Sequence, residues 1–139
     1  LYIVTNGVTE TQLRRIAQTQ FNEIFQDVFI SEQTGFQKPM TEFFDFVFEH
    51  IGENNRNQTL IVGDSLTSDI LGGKNANIST CWFNIRQKEN HTSIQPDYII
   101  NDLSEMVHIV EWIGEIKTIE EVKVEPTLVK FITTSVGSV

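Results

Sequence analysis

The chain has 139 residues, 40% of them hydrophobic, and its 19 Asp and Glu residues outnumber ten Lys and Arg residues, giving a formal net charge of -9. This length and composition predict one folded core and exclude the polar, low-complexity chains that stay disordered. The negative charge excludes a general binder of long nucleic acids, because such affinity depends mainly on clustered basic residues.

The sequence also lacks the patterns of a membrane or secreted protein. No apolar run approaches the roughly 18 residues that a membrane-spanning helix needs, so we expect no membrane partner. A charged start followed by an apolar stretch, as in a signal peptide, is not seen. The single Cys81 cannot form an intramolecular disulfide, which is typical of a reducing compartment. These features predict a cytoplasmic protein.

The first predicted elements are a buried strand, a helix and a second strand. The apolar run at residues 1–4 leads into the turn Thr5-Asn6-Gly7, as expected at the end of a strand. Thr9 and Gln12 have the spacing of a helix capping box. The helix would turn an apolar face inward, formed by Leu13, Ile16, Ala17 and Phe21. Residues 25–31 predict the second strand.

The middle of the chain predicts a helix, a third strand and a short helix. Lys38-Pro39 indicates the first turn of a helix that Gly52 ends. The residues expected on its inner face are Phe43, Phe44, Val47, Phe48 and Ile51. Residues 59–62 predict a strand that ends at Gly63-Asp64, and residues 68–76 predict the short helix.

Residues 80–84 and 97–100 predict two further strands, and Asp102 and Glu105 are expected to cap a helix that runs through Ile113. This alternation predicts an α/β fold, a Rossmann-like parallel sheet with helices on both faces, whose binding groups gather at the carboxyl ends of the strands. We assign residues 1–113 to this core domain. Residues 114–139, rich in Val, Thr and Ile, predict an extension of unknown role that is extended or strand-forming.

Three segments at strand ends or helix starts carry groups suited to a phosphate and a divalent cation. Thr5-Asn6-Gly7 offers a hydroxyl and backbone N–H groups to phosphoryl oxygens, although Asn-Gly turns are also common without a ligand. Lys38 places an ammonium group just before a helix N-terminus, where its charge and the helix dipole can act on the same anion. The alternative is that Lys38 is an ordinary surface lysine. Asp64 and Asp69 supply two carboxylates, and Mg²⁺ prefers oxygen ligands of this kind. The alternative is that Asp64 is a turn residue and Asp69 is an acidic residue in the first turn of a helix.

Together and in this order, the three segments resemble motifs II, III and IV of the haloacid dehalogenase (HAD) superfamily over roughly residues 1–113. Similarity to the bacterial pyrimidine-nucleotide 5'-nucleotidase subgroup lies in Gly63-Asp64-Ser65-Leu66-Thr67-Ser68-Asp69-Ile70-Leu71-Gly72-Gly73, Cys81-Trp82-Phe83-Asn84 and Pro96-Asp97-Tyr98. The resemblance implies a magnesium-dependent phosphomonoesterase that hydrolyses a nucleotide or another small phosphorylated metabolite through an aspartyl-phosphate.

The resemblance also implies roles for individual residues. Thr5, Asn6 and Gly7 would bind the phosphoryl group together with Lys38, which neutralises its charge. Asp64 would bind Mg²⁺. Asp69 would either ligate the metal or orient metal-bound waters and Lys38, and the sequence leaves both roles open. Thr5, Lys38 and Asp64 are therefore the expected catalytic residues.

The family's nucleophile would lie in an Asp-x-Asp segment upstream of Leu1, and this chain contains no Asp-x-Asp. The resemblance places that first strand between the strands at residues 1–5 and 60–64, so we expect a sheet split at its centre, and the cap that selects the leaving group would also be absent. The chain would be a fragment of a larger enzyme, a chain completed by a partner, or a remnant that binds without catalysing.

A further hypothesis places the run from Thr127 to Ile132 in this central slot, with Thr133 and Ser135 near the expected carboxylate positions. We expect the chain to be inactive alone, its site completed by an N-terminal segment or a partner chain. The alternatives are a catalytically inactive phosphate- or metal-binding module and a receiver-type signalling domain, although Gly-Asp-x-x-x-x-Asp late in the chain fits a receiver poorly.

Overall fold

The computed structural model describes residues 1–17, 25–106, 109 and 129–132. Within these residues the strands are β1 (Tyr2–Thr5), β2 (Asp27–Ile30), β3 (Thr59–Gly63), β4 (Ser79–Phe83), β5 (Tyr98–Ile100) and β6 (Val129–Ile132). The α-helices are α1 (Thr9–Ala17), α2 (Ser31–Thr34), α3 (Thr41–Ile51) and α4 (Leu71–Asn75). A 3-10 helix spans Glu53–Gln58, and a π-helical segment spans Leu66–Ile70.

The strands form one parallel sheet in the order β2-β1-β6-β3-β4-β5. All five residues of β3 are buried, as expected for a parallel strand that is covered on both faces. The predicted α/β class with a Rossmann-like parallel sheet is therefore confirmed.

Successive residues of β3 pack on opposite faces of the sheet, because strand side chains alternate. Ile61 belongs to one hydrophobic cluster, together with Phe43, Phe44, Val47 and Phe48 of α3. Leu60 and Val62 belong to the other, which includes Cys81 and Ile100 and is covered by Met106 and Ile109. Each face thus has its own core, and the sheet between them fixes where the strand ends lie.

Strand β6 occupies the centre of the sheet. It pairs with β1, where Ile132 lies opposite Ile3, and with β3, where Phe131 lies opposite Ile61. The hypothesis of a C-terminal strand in the central slot is confirmed for Val129–Ile132, and the expected split of the sheet is wrong, because β6 provides backbone partners for both neighbouring strands. Thr133 and Ser135 lie outside the described residues, and the division at residues 113 and 114 stays a prediction.

Helix α1 differs from its prediction in both cap and face. The Gln12 amide donates to the carbonyl of Asn6, and the Thr9 N–H donates to Glu32, so the predicted capping box is wrong. Gln12 is buried, whereas Leu13 is 46% exposed. Ala17 is also exposed. The Ile16 side chain and Phe21 lie outside the described part of the chain. The inner side of α1 is therefore marked by the buried Gln12 and its hydrogen bond to the turn after β1, and not by apolar spacing.

Smaller shifts occur at other element ends. Helix α3 begins at Thr41, two residues after Pro39, and the short α2 was not predicted. The helix expected from residue 68 is preceded by the π-helical segment that starts at Leu66.

The predicted cap after β5 is confirmed. The Glu105 carboxylate accepts from the N–H groups of Asn101 and Asp102, and Asp102 accepts from the N–H of Ser104. Most of the helix expected to reach Ile113 lies outside the described residues. In the part of the chain that the structure describes, no helix is long and apolar enough to cross a membrane.

Candidate active site

The candidate site lies at the carboxyl ends of β1 and β3, where parallel sheets commonly gather binding groups. Thr5 is the last residue of β1, and Asp64 directly follows β3. Lys38 precedes α3, and its Nζ lies 2.6 Å from Oδ1 of Asp69. The fold thus joins two of the predicted site residues that are 31 positions apart.

Lys38 is 4% exposed and its ammonium group is held from two sides. It donates to the Val4 carbonyl at 3.2 Å and to Asp69 at 2.6 Å. Burial lowers the pKa of Lys38, and the neighbouring carboxylates of Asp69 and Asp64 oppose that shift. An ammonium group has three protons, so one donor remains for a further acceptor such as a phosphoryl oxygen.

The two carboxylates of the site differ in their surroundings. Asp69 is 2% exposed, and its second oxygen accepts from the Ser65 N–H at 3.1 Å, so both of its oxygens have protein partners. Asp64 is exposed, and its carboxylate has no hydrogen-bond partner among the described residues. The Trp82 indole donates to the Asp64 carbonyl at 3.0 Å and fixes the backbone there. Asp64 is therefore the carboxylate that is open to a ligand.

Asn6 holds the backbone of Lys38. Its Nδ2 donates to the Lys38 carbonyl at 3.0 Å, and its Oδ1 accepts from the Lys38 N–H at 2.9 Å. The same Nδ2 lies 3.4 Å from Oγ of Ser68. The Asn6 side chain therefore connects the end of β1 to the Lys38 loop and to the segment after β3. The sequence indicated a polar turn at Asn6 but carried no signal for these partners.

The other turn residues are also engaged. Thr5 is fully buried, with its hydroxyl 3.3 Å from the Asn6 carbonyl. The Gly7 N–H donates to Oγ of Ser31 at 2.9 Å, so it is already used within the protein. Gly7 has φ +145°, and a Cβ there would lie 2.6 Å from Nε2 of Gln12. Glycine at this position thus allows the close packing of α1 on the turn.

The exposed Asp64 offers a carboxylate to a cation at this site. Among the described residues, no group of three or more His, Cys, Asp and Glu side chains is placed to hold a metal ion. Mg²⁺ is usually held by one or two carboxylates together with waters and substrate phosphate. The exposed carboxylate of Asp64 fits the role of one such ligand, whereas Asp69 is occupied by Lys38 and Ser65.

Comparison with known proteins gives a consistent result. The family model described as haloacid dehalogenase-like hydrolase matches residues 1–83. YfnB of Bacillus subtilis (strain 168), which carries the name of a HAD-hydrolase, is 51% identical over 110 residues, or 79% of this chain and 47% of YfnB. A crystal structure of YfnB bound to magnesium superposes with a TM-score of 0.76, covering 79% of this chain and 48% of that one.

Two relatives have names that state a substrate. The pyrimidine 5'-nucleotidase PynA of Streptococcus pneumoniae (strain ATCC BAA-255 / R6) is 41% identical over 80% of this chain and 47% of its own length. The pyrimidine 5'-nucleotidase YjjG of Escherichia coli (strain K12) is 37% identical over 78% of this chain and 48% of its own. The chain spans about half the length of these curated relatives.

Proposed function

The chain belongs to the haloacid dehalogenase-like hydrolase family, and from that premise we propose that it forms the phosphate-binding and metal-binding part of a magnesium-dependent phosphomonoesterase. The main support is the buried Lys38–Asp69 pair at the carboxyl ends of the sheet. The nucleotidase names of PynA and YjjG favour a nucleotide as the phosphate ester.

In this proposal Lys38 contacts the phosphoryl group. Its remaining N–H donates to a phosphoryl oxygen, and its charge compensates the negative charge of that group. Asp69 is a positioning residue, because both of its oxygens are used to hold Lys38 and the Ser65 backbone. Asn6 is a second positioning residue, since its amide fixes the Lys38 backbone. Thr5 and Gly7 shape the turn against which the phosphate lies.

Asp64 is the proposed magnesium ligand in this chain. Its exposed carboxylate leaves the remaining positions to waters, phosphate oxygens and groups outside the described residues. When bound, the cation would supply electrostatic stabilisation of the phosphoryl oxygens. The ligand role therefore belongs to Asp64, and Asp69 acts through Lys38.

The nucleophile is proposed to come from outside this chain. Formation of an aspartyl-phosphate needs a carboxylate that attacks phosphorus, and the sequence contains no Asp-x-Asp. An N-terminal segment or a partner chain would supply it, so the chain alone is expected to bind phosphate without turnover.

A second candidate function is a binding module that does not catalyse. The observation that favours it is the position of β6, which fills the centre of the sheet between β1 and β3. In such a module the Lys38 and Asp64 groups would bind phosphate and metal for a partner protein.

Calorimetric titration of the chain with inorganic phosphate, with and without Mg²⁺, tests the site. Lys38→Met should abolish phosphate binding. Asp64→Asn should make the phosphate affinity independent of Mg²⁺. Lys88→Met is the matched control, because Lys88 is exposed and distant in the sequence from the site segments. Equal effects of the two lysine substitutions, or no phosphate binding by the unmodified chain, would refute the assigned roles.

A phosphatase assay separates the two candidate functions. The isolated chain should show no turnover above its Asp64→Asn variant, whereas the full-length gene product should show turnover that this substitution removes. Turnover by the isolated chain would contradict an external nucleophile. A full-length product that binds phosphate but never hydrolyses its esters would favour the binding module.

A further inference from the structure

Strand β6 is the last of the described strands in chain order, but it lies in the middle of the sheet. β5 ends at Ile100 at one edge of the sheet, and β6 begins at Val129 between β1 and β3. β1 and β3 are therefore connected within the sheet by β6, while β2 and β4 pair on their outer sides. The space between β1 and β3, here called the central slot, accepts a parallel strand through backbone hydrogen bonds.

The two sides of the central slot are also joined by contacts that do not involve β6. The ammonium group of Lys38 bonds the Val4 carbonyl of β1 and the carboxylate of Asp69, which follows β3. Helix α3 packs across both sides, since its buried face shares one hydrophobic cluster with Val4 of β1 and Ile61 of β3. Departure of β6 would therefore leave β1 and β3 connected through Lys38 and through α3.

Lys130 gives β6 a charged residue inside the central slot. Its register position lies opposite Leu60, which is fully buried in a hydrophobic cluster with Val62 and Cys81. The opposite face of the sheet is apolar as well, because Ile61 belongs to the second cluster. A lysine is seldom accommodated in such surroundings without a partner for its charge. A strand with an apolar residue at this position therefore has an advantage over β6 as an occupant of the slot.

We propose that β6 is an exchangeable strand and that the central slot is the docking site of a parallel, apolar strand from another polypeptide segment. The identity of this partner rests on the proposed function, since the incoming strand is the segment that supplies the nucleophile. While the chain is alone, β6 provides partners for backbone groups that would otherwise be buried and unpaired. Docking of the external strand releases β6, and the contacts of Lys38 persist because they involve no residue of β6.

Hydrogen exchange of the full chain, followed at single amides by NMR, tests whether β6 opens on its own. In a sheet that opens only as a whole, the central strand is among the last to exchange. We expect the opposite order, with the Phe131 amide at least about tenfold less protected than the Cys81 amide. Cys81 is the matched reference, because it is fully buried and β4 pairs with β3 and β5 and not with β6. Equal or greater protection of Phe131 would overturn the proposal.

A fluorescent peptide with the sequence of residues 126–133 tests the central slot directly. The peptide competes with β6, so a substitution that weakens β6 should strengthen peptide binding, and the reverse. Phe131→Pro removes a backbone N–H from the middle of β6 and should raise the affinity for the peptide about tenfold. Lys130→Leu should hold β6 more tightly and lower that affinity about tenfold. Ser93→Pro is the matched control, because Ser93 is exposed and lies in neither a helix nor a strand.

The outcomes separate the strand exchange from the proposed function. Equal peptide affinities in Phe131→Pro, Lys130→Leu and the unmodified chain, or shifts in the same direction, overturn the exchange. Lys130→Leu keeps β6 intact, so its Phe131 amide should become about tenfold more protected even if the proline variant fails to fold, and an unchanged amide contradicts the proposal. A chain that exchanges β6 but does not bind inorganic phosphate supports the exchange and refutes the proposed function. A chain that binds phosphate while Phe131 is as protected as Cys81 refutes the exchange alone.

Discussion

Replacing Asp69 with Asn tests the buried ion pair that organises the site. The two side chains are each 3% exposed and Nζ of Lys38 lies 2.6 Å from the carboxylate. The substitution keeps the size of the side chain but removes its charge, which leaves the Lys38 ammonium group buried and unpaired. Breaking a buried pair in this way typically costs about 3 to 5 kcal/mol of the free energy of unfolding.

An upper limit follows from the chemistry of Lys38. A buried lysine without its partner can lose its proton, and from the ordinary pKa of 10.5 this costs about 1.4 kcal/mol per pH unit. Since pH 7 lies 3.5 units below this pKa, deprotonation of Lys38 costs about 5 kcal/mol there. The loss in the free energy of unfolding should therefore not greatly exceed that value. The free energy of unfolding of a small domain is only about 5 to 15 kcal/mol, so the substitution should remove a large part of it.

Urea unfolding at pH 7 measures this change. Asp45→Asn is the matched control, because Asp45 pairs with Arg56 at 3.0 Å but its side chain is 50% exposed, and exposed pairs contribute at most about 1 kcal/mol. The double variant Lys38→Met with Asp69→Asn removes the isolated charge and should recover at least half of the loss. An Asp69→Asn variant as stable as Asp45→Asn would refute the reasoning.

Two further predictions concern the packing around the sheet. Gly73→Ala should destabilise the protein by about 1 to 3 kcal/mol, because the new Cβ would lie 2.6 Å from a methyl carbon of Ile61 and from one of Thr80; a gain in thermal stability from the better helix former would contradict this. Asp97→Ala should cost about 1 to 3 kcal/mol at pH 7, since Asp97 accepts from both the N–H and the hydroxyl of the buried Thr80. Burial raises the pKa of Asp97, but hydrogen bonds from Lys74 and Thr80 outweigh it and the net pKa is lowered. The ionised carboxylate therefore stabilises the fold above pH 3.8, and the difference between the two proteins in urea unfolding should shrink as the pH falls below 3.8. An equal difference at pH 7 and pH 3 would contradict this assignment.

The sequence predicted those features that depend on local patterns. Strands β1 and β3 are short apolar runs that end at Thr5-Asn6-Gly7 and at Gly63-Asp64, and both lie where their runs predicted them. The cap formed by Asp102 and Glu105 likewise depends on residues three positions apart. Such signals lie within a few residues of each other, so the sequence alone carries them.

The side-chain partners of Asn6 and Gln12 were not predicted, because they lie outside the local patterns on which the sequence analysis depends. The Asn6 amide donates to the Lys38 carbonyl, which is 32 positions away in the sequence. Nothing in the Asn-Gly turn indicates that this amide bonds the Lys38 backbone and not a phosphate. The buried side of α1 is marked by Gln12, which donates to Asn6, whereas the apolar Leu13 faces outward. Amphipathic spacing identifies a helix, but tertiary contacts decide which side is covered.

The centre of the sheet distinguishes the two candidate functions. The resemblance to the family assigns the slot between β1 and β3 to the strand that carries the nucleophile, and in this structure β6 pairs with both neighbours there. One slot holds one strand, because each edge of β1 and β3 offers a single row of backbone partners. Hydrolysis by an aspartyl-phosphate route would therefore require β6 to leave the slot, whereas phosphate binding by Lys38 would not. The contacts among Asn6, Lys38 and Asp69 involve no residue of β6, so phosphate affinity should persist whichever strand is at the centre.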